Sequence, residues 1–182
     1  LIIENCKVSN NINVDILIPK LKYWFTQVKI GGVPMNDLQE ILERCEYKYE
    51  IIHHEKAIFT REDGSKYFGI EIGQTAPTLI LKTDKGYFAL ILSGNRDKLD
   101  FDELADILGC CKVKLASPKE VKTITGYEVG RIPMVGIDLP CVLDKRLFNY
   151  DFVYGGTGQA TSTLKIEPSA LNQLNHVVAT FD

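Results

Sequence analysis

The sequence predicts an α+β domain: a mostly antiparallel, mixed sheet with inserted helices. Three observations predict it. Short runs rich in Ile, Val, Leu and aromatic residues recur along the chain, at strand length rather than helix length. Two of them, Thr78–Lys82 and Tyr87–Leu92, are joined by Thr83-Asp84-Lys85-Gly86, a hairpin turn. Between the runs lie segments with apolar residues at helical spacing and their own start and stop residues, so helices interrupt the strands.

The elements follow in order. Residues 1–34 read as an N-terminal extension, with short apolar runs at Leu1–Ile3 and Ile16–Ile18 around an Asn-rich stretch. Leu21, Trp24, Phe25 and Val28 fall at helical spacing, and Gly31-Gly32-Val33-Pro34 punctuates the chain. Residues 35–182 form the compact domain. Asn36 is a candidate cap, with Gln39 at the reciprocal position and an apolar stripe of Leu38, Ile41, Leu42 and Cys45. Tyr49–His53 is a strand. Thr60 with Asp63 opens a helix that runs through Phe68 and stops at Gly69.

A helix is expected from Asp100 to Leu108, with Gly109 as its stop, and a short strand at Val113–Ala116. Ser117-Pro118-Lys119-Glu120 has a Ser cap, Pro in the first turn and Glu at the third position, so a helix starts there and ends at Gly126. Cys141–Leu143, Phe152–Tyr154, Thr163–Glu167 and Val177–Ala179 are further strands. Gly155–Gly158 is a glycine turn, and Pro168–Leu174 a short helix.

Composition removes several classes of function. The 182 residues are 45% hydrophobic and 25% charged, with a net charge of −3, which is a globular balance. No run reaches the roughly 18 apolar residues of a membrane span, so no membrane role is expected. The near-balanced charge argues against a DNA-coating surface but leaves room for a small basic patch. Five cysteines, an odd number without regular spacing, fit a reducing cytoplasm and small apolar side chains better than a disulfide framework. Cys110 and Cys111 are adjacent, there is no H-E-x-x-H and no C-x-x-C, and neither a metal nor another cofactor is expected.

Two glycine-punctuated segments are candidates for chemistry. In Thr125–Gly136, Gly130 and Gly136 can bring backbone close to a ligand, and Pro133 stiffens the segment, although ordinary turn glycines give the same pattern. Gly155–Gly158 offers a phosphate or ribose cradle without being a Walker loop, because Gln159 and Ala160 stand where Lys and Ser/Thr are needed. His53 and His54 should point to opposite faces, one packed and one free. Asp144 ends a strand before Lys145-Arg146, as an orienting carboxylate or a turn former.

The combination resembles the YbaK/EbsC family of aminoacyl-tRNA editing domains, related to the editing insertion of bacterial prolyl-tRNA synthetases. The resemblance runs from about Met35 to the C-terminus. It rests on the helix from Thr60 to Gly69-Ile70, the strand Thr78-Leu79-Ile80-Leu81, and Ser93–Asp100. It rests most on Leu115-Ala116-Ser117-Pro118-Lys119-Glu120 with Thr125-Gly126-Tyr127-Glu128-Val129-Gly130, and then on Asp144 and the Gly155–Gly158 turn.

The resemblance implies hydrolysis in trans of the ester joining a wrong small amino acid, such as alanine or cysteine, to a proline tRNA. It implies no metal, the tRNA acceptor end as partner, and a synthetase as a second one. It implies a pocket in which the Gly130–Gly136 backbone stabilises charge, with Gly130, Arg131 and Gly136 at the chemistry. Pro77, Lys66, Thr78, Lys98, Tyr127, Ile132, Pro133, Asp144, Gly155 and Gly156 would hold substrate.

One departure stands out. The family lysine precedes the Thr78 strand, and here that position is Pro77. Arg131, where a second glycine is common, or Lys66 would then supply the cation. Lys82 alternates to the face opposite residue 77. Three readings follow: a hydrolase with altered pocket chemistry, an inert relative that binds aminoacyl-tRNA ends or a synthetase, and an unrelated small-molecule binder.

Overall fold

The computed structural model describes residues 35–182; the expectations for 1–34 lie outside it. The chain begins with helix α1 (Met35–Glu43), whose Leu38 and Leu42 are buried. The helix starts at Met35, so Asn36 falls inside the first turn rather than at the cap. Strand β1 (Tyr49–His53) and helix α2 (Arg61–Phe68) follow. The Thr60 hydroxyl caps α2 by accepting from the Asp63 N–H, and itself donates to the Asp63 carboxylate at 2.7 Å.

A 3-10 turn at Ile72–Gln74 leads into the hairpin β2 (Thr78–Thr83) and β3 (Gly86–Ile91), with Thr83 paired to Gly86 across the turn. Helix α3 (Phe101–Leu108) is capped by Asp100, whose carboxylate accepts from the Asp102 and Glu103 N–H groups. Then come β4 (Val113–Leu115) and α4 (Pro118–Thr125), opened by the Ser117–Glu120 capping box. Strand β5 (Pro140–Asp144) runs into a 3-10 turn at Lys145–Asn149. Strands β6 (Val153–Gly156) and β7 (Ser162–Ile166), helix α5 (Ala170–Leu174) and β8 (His176–Phe181) complete the chain.

The strands form two sheets rather than one. A small antiparallel sheet has the order β1-β7-β6, and a larger mixed sheet has the order β4-β2-β3-β5-β8. The mixed character comes from β5, which lies parallel to both β3 and β8. Pairing of strands so far apart in sequence leaves no local signature, whereas the β2–β3 hairpin does.

Period-2 alternation sorts the core of the larger sheet. Ile80, Ala89, Ile91, Cys141 and Leu143 point to one face, where they pack with Leu38, Leu42, Val121, Leu164 and Ile166. Leu81, Leu90 and Val142 point to the other, under Leu104 of α3 and Phe181. The larger sheet is therefore covered on both faces, by α3 on one and by the small sheet with α1 and α4 on the other. A bridge between Thr75 and Tyr154 joins the two sheets, and the Ala76 N–H donates to the Tyr154 carbonyl at 2.7 Å.

Cys110 and Cys141 are buried and Cys45 half-buried, as small apolar side chains would be. Cys111 departs from that expectation by being exposed and disulfide-bonded. No described helix is long and apolar enough to cross a membrane.

Candidate active site

A cavity of about 320 Å³ opens where the two sheets meet. That is at the small end of ligand pockets, about 300–1,000 Å³. Its floor is apolar and small-featured, with Ala76, Pro77, Ile80, Ala116, Val121 and Ile132. Its polar wall comes from Thr78, Ser162 and Thr163.

The Thr78 hydroxyl is buried and has no hydrogen-bond partner among the described residues. Buried polar atoms are nearly always paired in folded proteins, so an unpaired one on a residue that lines the cavity stands out, although its oxygen is covered and a ligand would reach it only after a local shift. The Thr163 hydroxyl lies 3.2 Å from His54 Nε2. His54 Nδ1 lies 2.6 Å from the Lys56 carbonyl, which can only accept. The proton of a neutral His54 therefore sits on Nδ1, Nε2 accepts, and Thr163 donates. Its oxygen keeps acceptor capacity for the cavity. His54 is the packed histidine of the pair, against Tyr67 and Phe68, while His53 is exposed. Ser162 is paired with Thr157, and the Thr157 hydroxyl also reaches the Ser162 carbonyl.

Among the described residues that line the cavity, Arg61 is the one that is charged. It follows the Thr60 cap directly. Its Nη1 donates to the Gly94 carbonyl at 2.6 Å and the Arg96 carbonyl at 2.9 Å, and its Nε to Glu62 at 2.8 Å. The guanidinium thus bridges α2 to the segment that follows β3, at the cavity edge. Sequence reasoning missed it. The available signal was a cation beside a helix cap, which reads as an ordinary surface residue.

The expected site residues divide. Pro77, Thr78, Gly130, Ile132, Gly155 and Gly156 line the cavity together. Arg131 and Lys66 do not. Arg131 is paired with Glu128 at 3.5 Å, and its guanidinium carbon stands 5.7 Å from the Phe59 ring centre. Lys66 and Lys98 are exposed outside the lining. Lys82 shares the sheet face of Thr78 and Ile80, so alternation does not carry it away from the cavity side. The Glu120 carboxylate holds it outside the lining.

Asp144 is fully buried away from the cavity. It accepts from Arg96 Nε at 2.7 Å and Nη2 at 3.0 Å, from the Ser93 N–H at 3.1 Å and from the Arg146 N–H at 3.0 Å. Burial pushes its carboxyl up, and the Arg96 guanidinium with those N–H groups outweighs that, leaving it below the usual carboxylate range. Asp144 therefore anchors the end of β5.

The glycines act differently from a phosphate cradle. Gly155 and Gly156 belong to β6, not to a loop. A Cβ on Gly156 would lie 2.4 Å from the Ile132 carbonyl, and one on Gly155 would lie 2.5 Å from Met134 Sδ. Protein fills the space, and the Met134 N–H donates to the Gly156 carbonyl at 2.8 Å. The two glycines let the Ile132–Met134 segment lie on the strand and close the cavity floor. Gly136 and Pro133 lie outside the lining, and Gly136 faces Ile41 of α1. Tyr127 packs against Gly158. Gly130 has φ +82° at the cavity mouth. The Arg131 N–H is committed to the Glu128 carbonyl at 2.9 Å, so the segment's candidate donors are the N–H groups of Gly130 and Ile132, both of which line the cavity.

A proline–tRNA ligase from Thermosipho melanesiensis is 31% identical over 126 residues, which is 68% of this chain and 22% of the ligase. The chain therefore spans only about a fifth of that relative's length. The multifunctional Ser/Thr-tRNA deacylase ProXp-y of Escherichia coli K12 is 31% identical over 130 residues, 68% of this chain and 76% of the deacylase. A crystal structure of a proposed trans-editing enzyme for prolyl tRNA synthetase superposes with a TM-score of 0.69 at 25% identity. It covers 81% of this chain and 95% of its own. The profile of the aminoacyl-tRNA editing domain matches residues 55–174, a stretch that includes every described residue lining the cavity, and this chain belongs to that family.

Proposed function

We propose that the chain is an aminoacyl-tRNA deacylase acting in trans, which hydrolyses the ester of a mischarged tRNA carrying a small amino acid. Alanine or cysteine on a proline tRNA is the proposed substrate. The observation that carries this reading is the small apolar cavity with the unpaired, buried Thr78 hydroxyl in its wall. A cavity of that size has room for an aminoacyl group, and selection among them would rest on the shape of the wall set by Ala76, Pro77, Ile80 and Ile132. A second sieve of this kind is needed because activation sites discriminate small apolar side chains by only about 1–3 kcal/mol per methylene.

In this reading a water attacks the ester carbonyl, the carbonyl oxygen gains negative charge, and the ribose oxygen leaves with a proton. The Gly130 N–H is the donor proposed for the oxyanion, and Arg61 supplies positive charge at the cavity edge in place of the lysine that Pro77 replaces. The Thr163 oxygen, oriented by His54, accepts from the substrate amine or the attacking water. The terminal ribose hydroxyl can carry part of the proton transfer. The pairing of Arg61 with backbone carbonyls favours a second reading, in which the chain binds acceptor ends, or a synthetase, without hydrolysis.

The test is deacylation of a panel of Ala-, Cys-, Ser-, Thr- and Pro-charged tRNAs. The expected result is loss of a small amino acid at least 10-fold faster than in buffer, with prolyl-tRNA-Pro spared. Binding without accelerated loss from any of these tRNAs would select the second reading. Arg61→Ala should cost about 10- to 100-fold in kcat/KM, the range of a lost charge-assisted contact.

A further inference from the structure

The cavity mouth is apolar and exposed, and nothing in the hydrolysis itself requires that. Phe59 is 55% exposed, Val129 55% and Leu115 47%. All three also line the cavity. They come from three separate segments: the approach to α2, the turn after α4, and the end of β4. Large apolar side chains scattered singly on a surface need no explanation, but three that line one opening do.

We infer that this rim is a stacking platform for the 3′-terminal nucleobase of the substrate, with the Phe59 ring as its face. The inference rests on the deacylase reading. The ester to be cut sits on the terminal ribose, and that same sugar carries the base. With the aminoacyl group inside the cavity, the ribose occupies the mouth and the base must lie against the rim. A base offers a flat π-face to an aromatic ring whatever its sequence identity.

The surroundings of Phe59 suit that occupant. The Arg131 guanidinium carbon is 5.7 Å from the ring centre, and the carboxylate of Glu128 holds the group there. Arg131 thus stands over one face of the ring, so the base is assigned to the other face, with the cation near the rim for the adjoining phosphate although it does not line the cavity. Gly130 passes next to the ring without a side chain: a Cβ there would sit 3.7 Å from Phe59 Cδ1, and anything longer would cover the ring edge.

The experiment compares wild type, Phe59→Ala and Phe59→Trp on two substrates: alanyl-tRNA, and alanine methyl ester, which has the ester but no base. Phe59→Ala should raise KM for alanyl-tRNA about 5- to 100-fold with kcat little changed, the range expected for one lost base–aromatic stack. The loss on the methyl ester should be at least five-fold smaller. Phe59→Trp should keep the wild-type KM. Equal losses on both substrates would overturn the inference, because Phe59 would then shape the cavity and not hold a base.

A binding arm separates this inference from the deacylase reading. Alanyl-adenosine joined through a 3′-amide cannot be hydrolysed. Its affinity is measured beside that of the same compound lacking the base. Tighter binding of the adenosine compound, reduced by Phe59→Ala, supports the platform even if no tRNA is deacylated. Indistinguishable affinities would overturn it and leave the rim as a protein contact.

Discussion

Thr78 and Asp144 are both buried polar residues, and opposite things are true of them. The Thr78 hydroxyl has no partner. Removing an unpaired buried hydroxyl while keeping its shape is neutral or stabilising. Thr78→Val should therefore leave the urea midpoint unchanged or raise it, while lowering kcat/KM for the cognate aminoacyl-tRNA about 10-fold. A lower midpoint would show that the hydroxyl was paired after all. Asp144 is paired on every side. Arg96→Met would leave its carboxylate buried without its cation, at a cost of about 3–5 kcal/mol in the unfolding free energy. Replacing both partners by apolar residues should recover only part of that loss, because the Ser93 and Arg146 N–H groups then lose their acceptor. Thr163→Val tests the orientation argument: it should lower kcat/KM, and adding His54→Gln should lower it little further, because His54 acts through that hydroxyl.

Helix α4 is held by one carboxylate. Glu120 accepts from Lys82, from the Ser117 N–H at 2.9 Å and from the Ser117 hydroxyl at 2.7 Å. Its pKa falls from 4.5 to about 2, first because of Lys82 and then because of the two Ser117 groups. A depressed carboxylate stabilises the fold fully above its ordinary value and loses that contribution as pH falls through the folded one. The stability difference between wild type and Glu120→Gln should thus be complete above pH 4.5 and shrink toward zero near pH 2. Chemical denaturation at three or four pH values would read it.

Strand β6 fails or holds at Gly156. Gly156→Ala puts a methyl 2.4 Å from the Ile132 carbonyl, so backbone must move. The expected cost is about 1–3 kcal/mol, typical of overpacking, with a larger fractional loss of deacylation than of stability, because the displaced segment carries the cavity floor.

Residues 35–182 remain the proposed editing domain. A protein comprising only those residues should unfold in one cooperative transition and retain deacylation, which circular dichroism and the tRNA assay would check. Much of this was legible in the sequence. Caps at Thr60 and Ser117, the stops at Gly69, Gly109 and Gly126, and the Thr83–Gly86 turn all depend on residues within a few positions of one another. So does the alternation that buries Ile80 on one face and Leu81 on the other. The family resemblance, carried by ordered local motifs, belongs to the same class of information.

The division into two sheets, the parallel placement of β5, and the membership of the cavity wall do not. They depend on which distant segments come to lie together. Arg61, rather than Arg131 or Lys66, lines the cavity because the carbonyls of Gly94 and Arg96, more than thirty residues away, draw its guanidinium to that edge. Gly155 and Gly156 became a strand because the Ile132–Met134 segment packs where their side chains would be. Local dihedral preference and hydrophobic period are written residue by residue, so the sequence alone determined the elements and the family. The cation at the pocket and the orphaned hydroxyl in its wall were decided only by tertiary packing, because each is defined by contacts between parts of the chain that carry no mark of one another.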